Sequence, residues 1–335
     1  MGGIMEQLGL AAGTIVAGVF GCVAWFWGAN LLLDTLWPPR GPDAGRNILR
    51  ANMIRPWLFV GPAVLFLALY LVYPVLNSAM RSVMDAGSRE FVGLENYRWL
   101  LGDAKFRESI LNNLLWLLVV PALSTFFGLL AAQLTDRIGW GNLAKSLIFM
   151  PMAISFVGAG VIWKFIYDYR GEGQDQIGLL NALWTALGQA PQTWLALPLW
   201  NNFFLMAVLI WIQTGFAMVI LSAALRGIPE ETVEAAILDG ANPWQLFFRI
   251  KVPQIRGTIA VVWTTITIVV LKVFDIVFVM TNGQWGTQVL ANLMYDWMFR
   301  GAPDYGRGSA IAIVIMALVT PIMIWNIRNA RKEMA

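Results

Sequence analysis

The residues whose types and spacing could act on another molecule sit near the middle of the chain. In the stretch RGIPEETVEAAILDGANPWQLFFRIKVP, from Arg226 to Pro253, three glutamates lead into two alanines, an Asp-Gly corner and a second apolar run. Pro229 suits the first turn of a helix, where a missing N–H is harmless, and Glu230 and Glu231 follow where the helix dipole favours negative charge. Val233, Ala236 and Ile237 then fall on one helical face. The helix should stop at Asp239 and Gly240, with Gly240 free to turn left-handed. Asn242 and Pro243 read as a new cap and first turn. Trp244, Phe247 and Phe248 make the next short helix apolar on one side, and Pro253 is expected to end it. Two readings stay open at this point. One is an amphipathic loop resting on a membrane; the other is a rigid knob, acidic and alanine-lined, that seats in a partner's groove.

The rest of the chain narrows the choice by what it lacks. It has no histidine, which removes zinc helices, Ser-His dyads and haem ligation. No Gly-Lys pair occurs, so there is no phosphate-cradling loop of the nucleotide-binding kind. The single cysteine, Cys22, allows no disulfide within the chain.

The elements around the stretch are membrane spans. Hydrophobic residues make up 58% of the 335 and charged ones 13%, about half the share of a soluble domain. Mean hydropathy is +0.64. Seven stretches approach the roughly 20 apolar residues that a crossing helix needs: 8–33, 56–76, 110–132, 143–167, 203–225, 257–280 and 309–327. The fold class is therefore an all-α membrane protein of about seven transmembrane helices. The first is expected to be a retained helix and not a signal peptide, because no Lys or Arg precedes it.

Basic residues set the orientation. With the N-terminus outside, Arg40, Arg46, Arg50, Arg55, Arg137, Arg226, Arg249, Lys251, Arg256, Arg328, Arg331 and Lys332 face the cytoplasm, against eight Lys and Arg outside. The 226–256 segment then faces the cytoplasm, and so does the C-terminus. Loop 77–109 interleaves acids with its bases and reads as a small folded cap. In LNALWTALGQAPQTWLALPLWNN, Trp184, Trp194 and Trp200 read as headgroup anchors. Lys164 is expected to snorkel, and Lys272 with Asp275 to pair at i, i+3 on one helix.

EAAILDGANPWQLFFRIKVP resembles the EAA loop of bacterial ATP-binding-cassette importer permeases, whose pattern runs E-A-A-x-x-D-G-A, five variable residues, F, x-x-I-x-[LV]-P. Glu234, Ala235, Ala236, Asp239, Gly240, Ala241, Phe247, Ile250 and Pro253 fill it; Gly257 stands where a further proline is frequent. FVGLENYRWLL at 91–101, KVFDIVFVMTNG at 272–283 and MYDWMFRGAPDYGRGSAIAIVIMAL resemble other parts of carbohydrate permeases. Within the maltose-type group the resemblance runs to alpha-glucoside permeases, through LIFMPMAISFVGAGVIWKF.

The resemblance implies a six-helix permease domain over 56–335, with 1–55 adding one helix and a basic linker. It implies a second homologous permease, two cytoplasmic ATPase subunits joined through the EAA loop, and a periplasmic sugar-binding protein. The membrane is the bacterial inner membrane, and the cargo an alpha-glucoside-type oligosaccharide moved by alternating access. No catalytic residue, cofactor, metal or nucleic acid is called for. Candidates for the sugar path are Asn112, Asn113, Trp116, Ser155, Gln213, Thr214, Trp263 and Asp275; polar groups in spans also serve simply to join helices. The rivals are an ion-driven secondary transporter, which needs intramembrane carboxylates beyond Asp275, and an intramembrane enzyme.

Overall fold

The computed structural model describes residues 2–334 except Arg137 and Glu172; the side chains of 2–4, 8, 326–327 and 329–334 are also outside the described set. Arg137 and the side chains of Arg331 and Lys332, used in the charge reading, fall there. The helices in chain order are α1 (Gly2–Leu36), α2 (Ala44–Arg81), α3 (Glu95–Gly102), α4 (Ala104–Thr135), α5 (Gly141–Phe149), α6 (Phe156–Ile166), α7 (Leu179–Ala186), α8 (Trp200–Arg226), α9 (Glu230–Leu238), α10 (Pro243–Gln254), α11 (Arg256–Leu271), α12 (Asp275–Met280), α13 (Leu290–Phe299) and α14 (Tyr305–Met334). Among the described residues, five of these, α1, α2, α4, α8 and α14, are long and apolar enough to cross a membrane unbroken, and two bent pairs raise the number to as many as seven.

The chain forms two compact units, 1–77 and 78–335. In the first, Phe26 meets Phe59 with ring centroids 5.2 Å apart, and the Trp25 indole donates to the Leu58 carbonyl at 2.9 Å. Leu33 and Ala51 are buried there, while most apolar side chains of both helices face outward, as lipid requires.

The second unit is built on α4 and α8. Trp116, Val120 and Ala132 of α4 are buried, as are Leu205, Leu209, Met218 and Leu221 of α8. Gly128 lets the helices approach closely: a methyl group there would run into Ala217. The 77–109 loop is folded, as its mixed charge predicts. Asn96 donates to the carbonyls of Ser82 and Met84, and Leu100 and Phe106 pack with Leu290, Leu293 and Ile311.

Three local expectations change. The 143–167 stretch is not one straight span: it bends by 104° between Gly141–Ala153 and Phe156–Ile166. Pro151 cannot donate to the preceding turn, and Ser155 starts a new helix by accepting from the Gly158 N–H at 3.1 Å. The 257–280 stretch breaks at 272–274, so Lys272 and Asp275 do not share a helix and do not pair. Trp184 and Trp194 pack edge to face at 5.5 Å and Trp194 continues onto Phe204, so both rings join the core; Trp200 is exposed.

Candidate functional site

The central stretch folds as two short helices and a corner. Pro229 is the cap of α9, one residue earlier than its first turn, and Glu230 begins the helix. Gly240 adopts φ +83°. Its N–H donates to the Ile237 carbonyl and that of Ala241 to the Ala236 carbonyl, both at 3.0 Å, which satisfies the last carbonyls of α9. Asn242 then caps α10 reciprocally with Gln245: the Asn242 side chain accepts from the Gln245 N–H at 2.9 Å, and the Gln245 side chain accepts from the Asn242 N–H at 3.0 Å. Both sides of the corner are thus fixed by local bonds.

Pro253 does not end α10. Residues 246–251 widen into a π-helical turn, the Val252 N–H reaching the Phe247 carbonyl, and helix continues to Gln254. The wider turn carries the proline ring past the carbonyl four residues earlier that it would strike in a regular helix. The end comes at Ile255, where the chain turns 71° into α11.

What the corner presents is mixed. Glu234, Ala235, Asp239 and Pro253 are exposed, Ala241 and Phe247 half-buried and Ala236 buried. Leu238 is 88% exposed and Trp244 73%, and Trp244 stacks on exposed Phe248 at 5.7 Å. An apolar patch beside three glutamates, at the tip of a braced corner, is the form of a docking surface.

The sugar-path candidates are spread over several places. Asn112 donates to the carbonyls of Gly286 and Gln288 at 2.9 and 2.8 Å. Asn113 accepts from the Leu290 N–H at 2.9 Å, and the Trp116 indole donates to the Asn202 side chain at 3.3 Å. Asn112 and Asn113 hold the 284–290 loop onto α4, and Trp116 joins α4 to α8; all three side chains are buried. Ser155 is engaged as the cap of α6. Gln213 is buried on α8. Thr214 bonds back to the Ile210 carbonyl at 2.7 Å and lines an apolar groove of about 620 Å³ with Phe127 and Trp211. Trp263 lies beside Pro321 and Trp325, and Asp275 in a smaller cavity with Phe156 and Lys272.

Residues 109–332 match the family described as the binding-protein-dependent transport system inner membrane component. The chain belongs to that family. The resemblance read from the EAA loop is thereby confirmed, and the protein is a multi-pass permease of the inner membrane. The alpha-glucoside transport system permease protein AglF of Rhizobium meliloti is 70% identical over 332 residues, covering 98% of this chain and 99% of its own. The osmoprotective compounds uptake permease protein GgtC of Synechocystis is 53% identical over 276 residues, covering 82% and 99%. A chain of a bacterial ABC transporter involved in the import of the acidic polysaccharide alginate superposes with a TM-score of 0.72 at 22% identity, covering 84% of this chain and 98% of that one; this shows the shared fold.

Within the permease, the residues that sequence reasoning missed are Asn201, Asn202 and the loop they hold. Asn201 donates to the Trp285 carbonyl at 2.5 Å, and Asn202 to the Gly286 carbonyl at 3.3 Å. The signal was the adjacent pair of amides opening an apolar helix in LWNNFF, where unpaired amides would be costly. Leu238 was also missed: it lies inside the motif at a variable position.

Proposed function

We propose that this permease forms part of the membrane path of an ATP-driven importer for alpha-glucoside-type oligosaccharides, working by alternating access with a second permease. Two ATPase subunits drive it from the cytoplasm through the 226–256 loop, and a periplasmic sugar-binding protein delivers cargo. Residues 56–335 carry the permease, 1–55 are an addition to it, and the C-terminus is cytoplasmic. The observation that carries the coupling role is the corner at Gly240. A chain with no nucleotide loop of its own holds an exposed acidic and apolar projection rigidly at the end of α8, the most buried of the unbroken spans. A rigid projection transmits displacement between packed states, which a floppy loop cannot. The 70% identity to AglF over almost the whole chain supports the alpha-glucoside class. The crystallised alginate transporter, seen in complex with a pentasaccharide-bound periplasmic protein, supports a similar delivery partner here.

The test is purification of the tagged chain from its own membranes, followed by reconstitution. An ATPase and a second permease are expected to co-purify, and labelled maltose, trehalose or sucrose to enter vesicles only with ATP and the binding protein. Uptake driven by an ion gradient without ATP would establish the secondary-transporter rival instead.

A further inference from the structure

The loop from Asn282 to Gly286 is strained. Asn282 (φ 54°), Gly283 (73°), Trp285 (56°) and Gly286 (78°) are all left-handed, and two of them carry side chains that disfavour this conformation. The strain is held from below. Asn201 grips the Trp285 carbonyl, while Asn112 and Asn202 grip that of Gly286. With its backbone so fixed, Trp285 is left 54% exposed. An apolar ring displayed by a strained, multiply bonded loop calls for an explanation that packing does not give.

Trp285 lines a cavity of about 500 Å³ whose other lining residues, Gly283 apart, have polar or charged side chains. Gln284 and Asn282 come from the same loop. Gln288 donates to Asp296 at 2.9 Å, and the Gln288 N–H donates to Glu108 at 3.3 Å. Lys105 and Arg300 face these two carboxylates across the same cavity, Arg300 pairing with Asp296 at 3.2 Å. Two cations balance two anions, so the site carries no net charge to favour a charged ligand.

We infer that this cavity is a binding subsite for a neutral oligosaccharide, with Trp285 stacking on the apolar face of a sugar ring and the amides and carboxylates bonding its hydroxyls. A sugar presents one C–H face and a rim of hydroxyls, which are donors and acceptors together; an exposed indole over a ring of amides and paired charges matches both. The cavity size suits a disaccharide-scale ligand. In the orientation proposed above, loops 77–109 and 281–308 are periplasmic, so the subsite is at the outer mouth. It therefore rests on the importer reading for its biological use, though not for its chemistry.

The experiment measures binding of labelled maltose and trehalose to the assembled complex in lipid nanodiscs, without nucleotide or binding protein. Trp285→Gly removes the indole yet suits the left-handed backbone; Trp285→Phe keeps a stacking face. Wild type is expected to bind. Trp285→Gly should weaken binding about tenfold and Trp285→Phe by less than about threefold. Gln284→Ala, which leaves the backbone untouched, should weaken it about threefold and serves if Trp285→Gly fails to assemble. A disaccharide carrying a uronic acid should not compete. Absence of wild-type binding, or wild-type affinity in both Trp285→Gly and Gln284→Ala, would overturn the subsite even where uptake persists. In a parallel pull-down of the binding protein by the same nanodiscs, loss of capture in the variants at unchanged sugar affinity would overturn it as well, in favour of a protein-docking loop. Trp285-dependent binding in a complex that imports no sugar would uphold the subsite and defeat the importer reading.

Discussion

Asn112 of α4 and Asn202 of α8 converge on one carbonyl: both amides donate to Gly286, and the Asn202 amide also donates to the Asn112 oxygen at 3.3 Å. Two long helices thereby share a single loop. Asn112→Leu should leave the Gly286 and Gln288 carbonyls short of a donor, at a cost on the order of 1–3 kcal/mol. The thermal midpoint of the assembled complex is expected to fall by several degrees. Should the midpoint hold while the KM for sugar rises, Asn112 is a sugar ligand and not a brace.

Gly240 tests the proposed coupling role of the corner. With φ at +83°, a β-branched residue there costs on the order of 1 kcal/mol or more in backbone strain, although the space around it is open. Gly240→Val should misaim α9, lower uptake and weaken retention of the ATPase, while membrane abundance stays normal. Glu234→Ala should act in the same direction and more mildly, by removing one exposed charge. Uptake at the wild-type level in Gly240→Val membranes would return the segment to an ordinary surface loop.

The corner was legible in the sequence because its determinants are local. Asp239-Gly240, Asn242-Pro243 and the leading glutamates each act within one turn, and the caps fall within a residue of where those signals place them. The long spans were legible because lipid demands uninterrupted apolar helix. Bends were less so. The 104° turn after α5 depends on Pro151 and Ser155 acting together, and the break at 272–274 has no proline or glycine to announce it. Span polarity was visible at Asn112, Asn113 and Trp116, but their partners lie about 90 to 180 residues away, at Asn202 and the 286–290 loop, a pairing no local pattern encodes. Trp285 looked like one tryptophan among seventeen; only its left-handed backbone singles it out.

Removal of residues 1–33 should leave assembly with the partner subunits intact. The family match starts at 109, and the compact unit holding α4 to α14 starts at 78. The measurement is co-purification of the ATPase and second permease with the truncated chain at matched membrane abundance. Failure to co-purify would make α1 part of the assembly.

The 85–90 turn should carry a pH signature. The backbone N–H groups of Glu90 and Arg89 donate to the Asp85 carboxylate and hold its pKa below the ordinary 3.8. A carboxyl depressed in the folded state contributes stability that is present above 3.8 and is lost as pH falls through the lowered value. Amide-exchange protection at Arg89 and Glu90 should fall over that window, and Asp85→Asn should flatten the dependence. Protection independent of pH in the wild type would show that the turn stands without the carboxylate.

A clasp at the far end of α4 makes the last prediction. Asp136, the C-cap of α4, pairs with Lys145 of α5 and accepts from the Ser222 hydroxyl of α8 at 3.1 Å, and Arg226 donates to the Ser222 carbonyl at 3.3 Å. Three helices are tied where α8 runs into the 226–256 loop. Lys145 is 15% exposed and Asp136 20%, so solvent screens the pair only partly. Lys145→Met should then cost on the order of 1–2 kcal/mol, less than a fully buried pair would. Asp136→Asn keeps an acceptor for Ser222 but loses the charge. If the two groups act as one clasp, the double variant should be less destabilised than the sum of the singles, by roughly 1 kcal/mol in a double-mutant cycle on the thermal midpoint. Additive losses would mean that Lys145 and Asp136 contribute separately, and the connection between the base of α8 and the helix pair α4–α5 would rest on the Ser222 hydrogen bond and apolar packing.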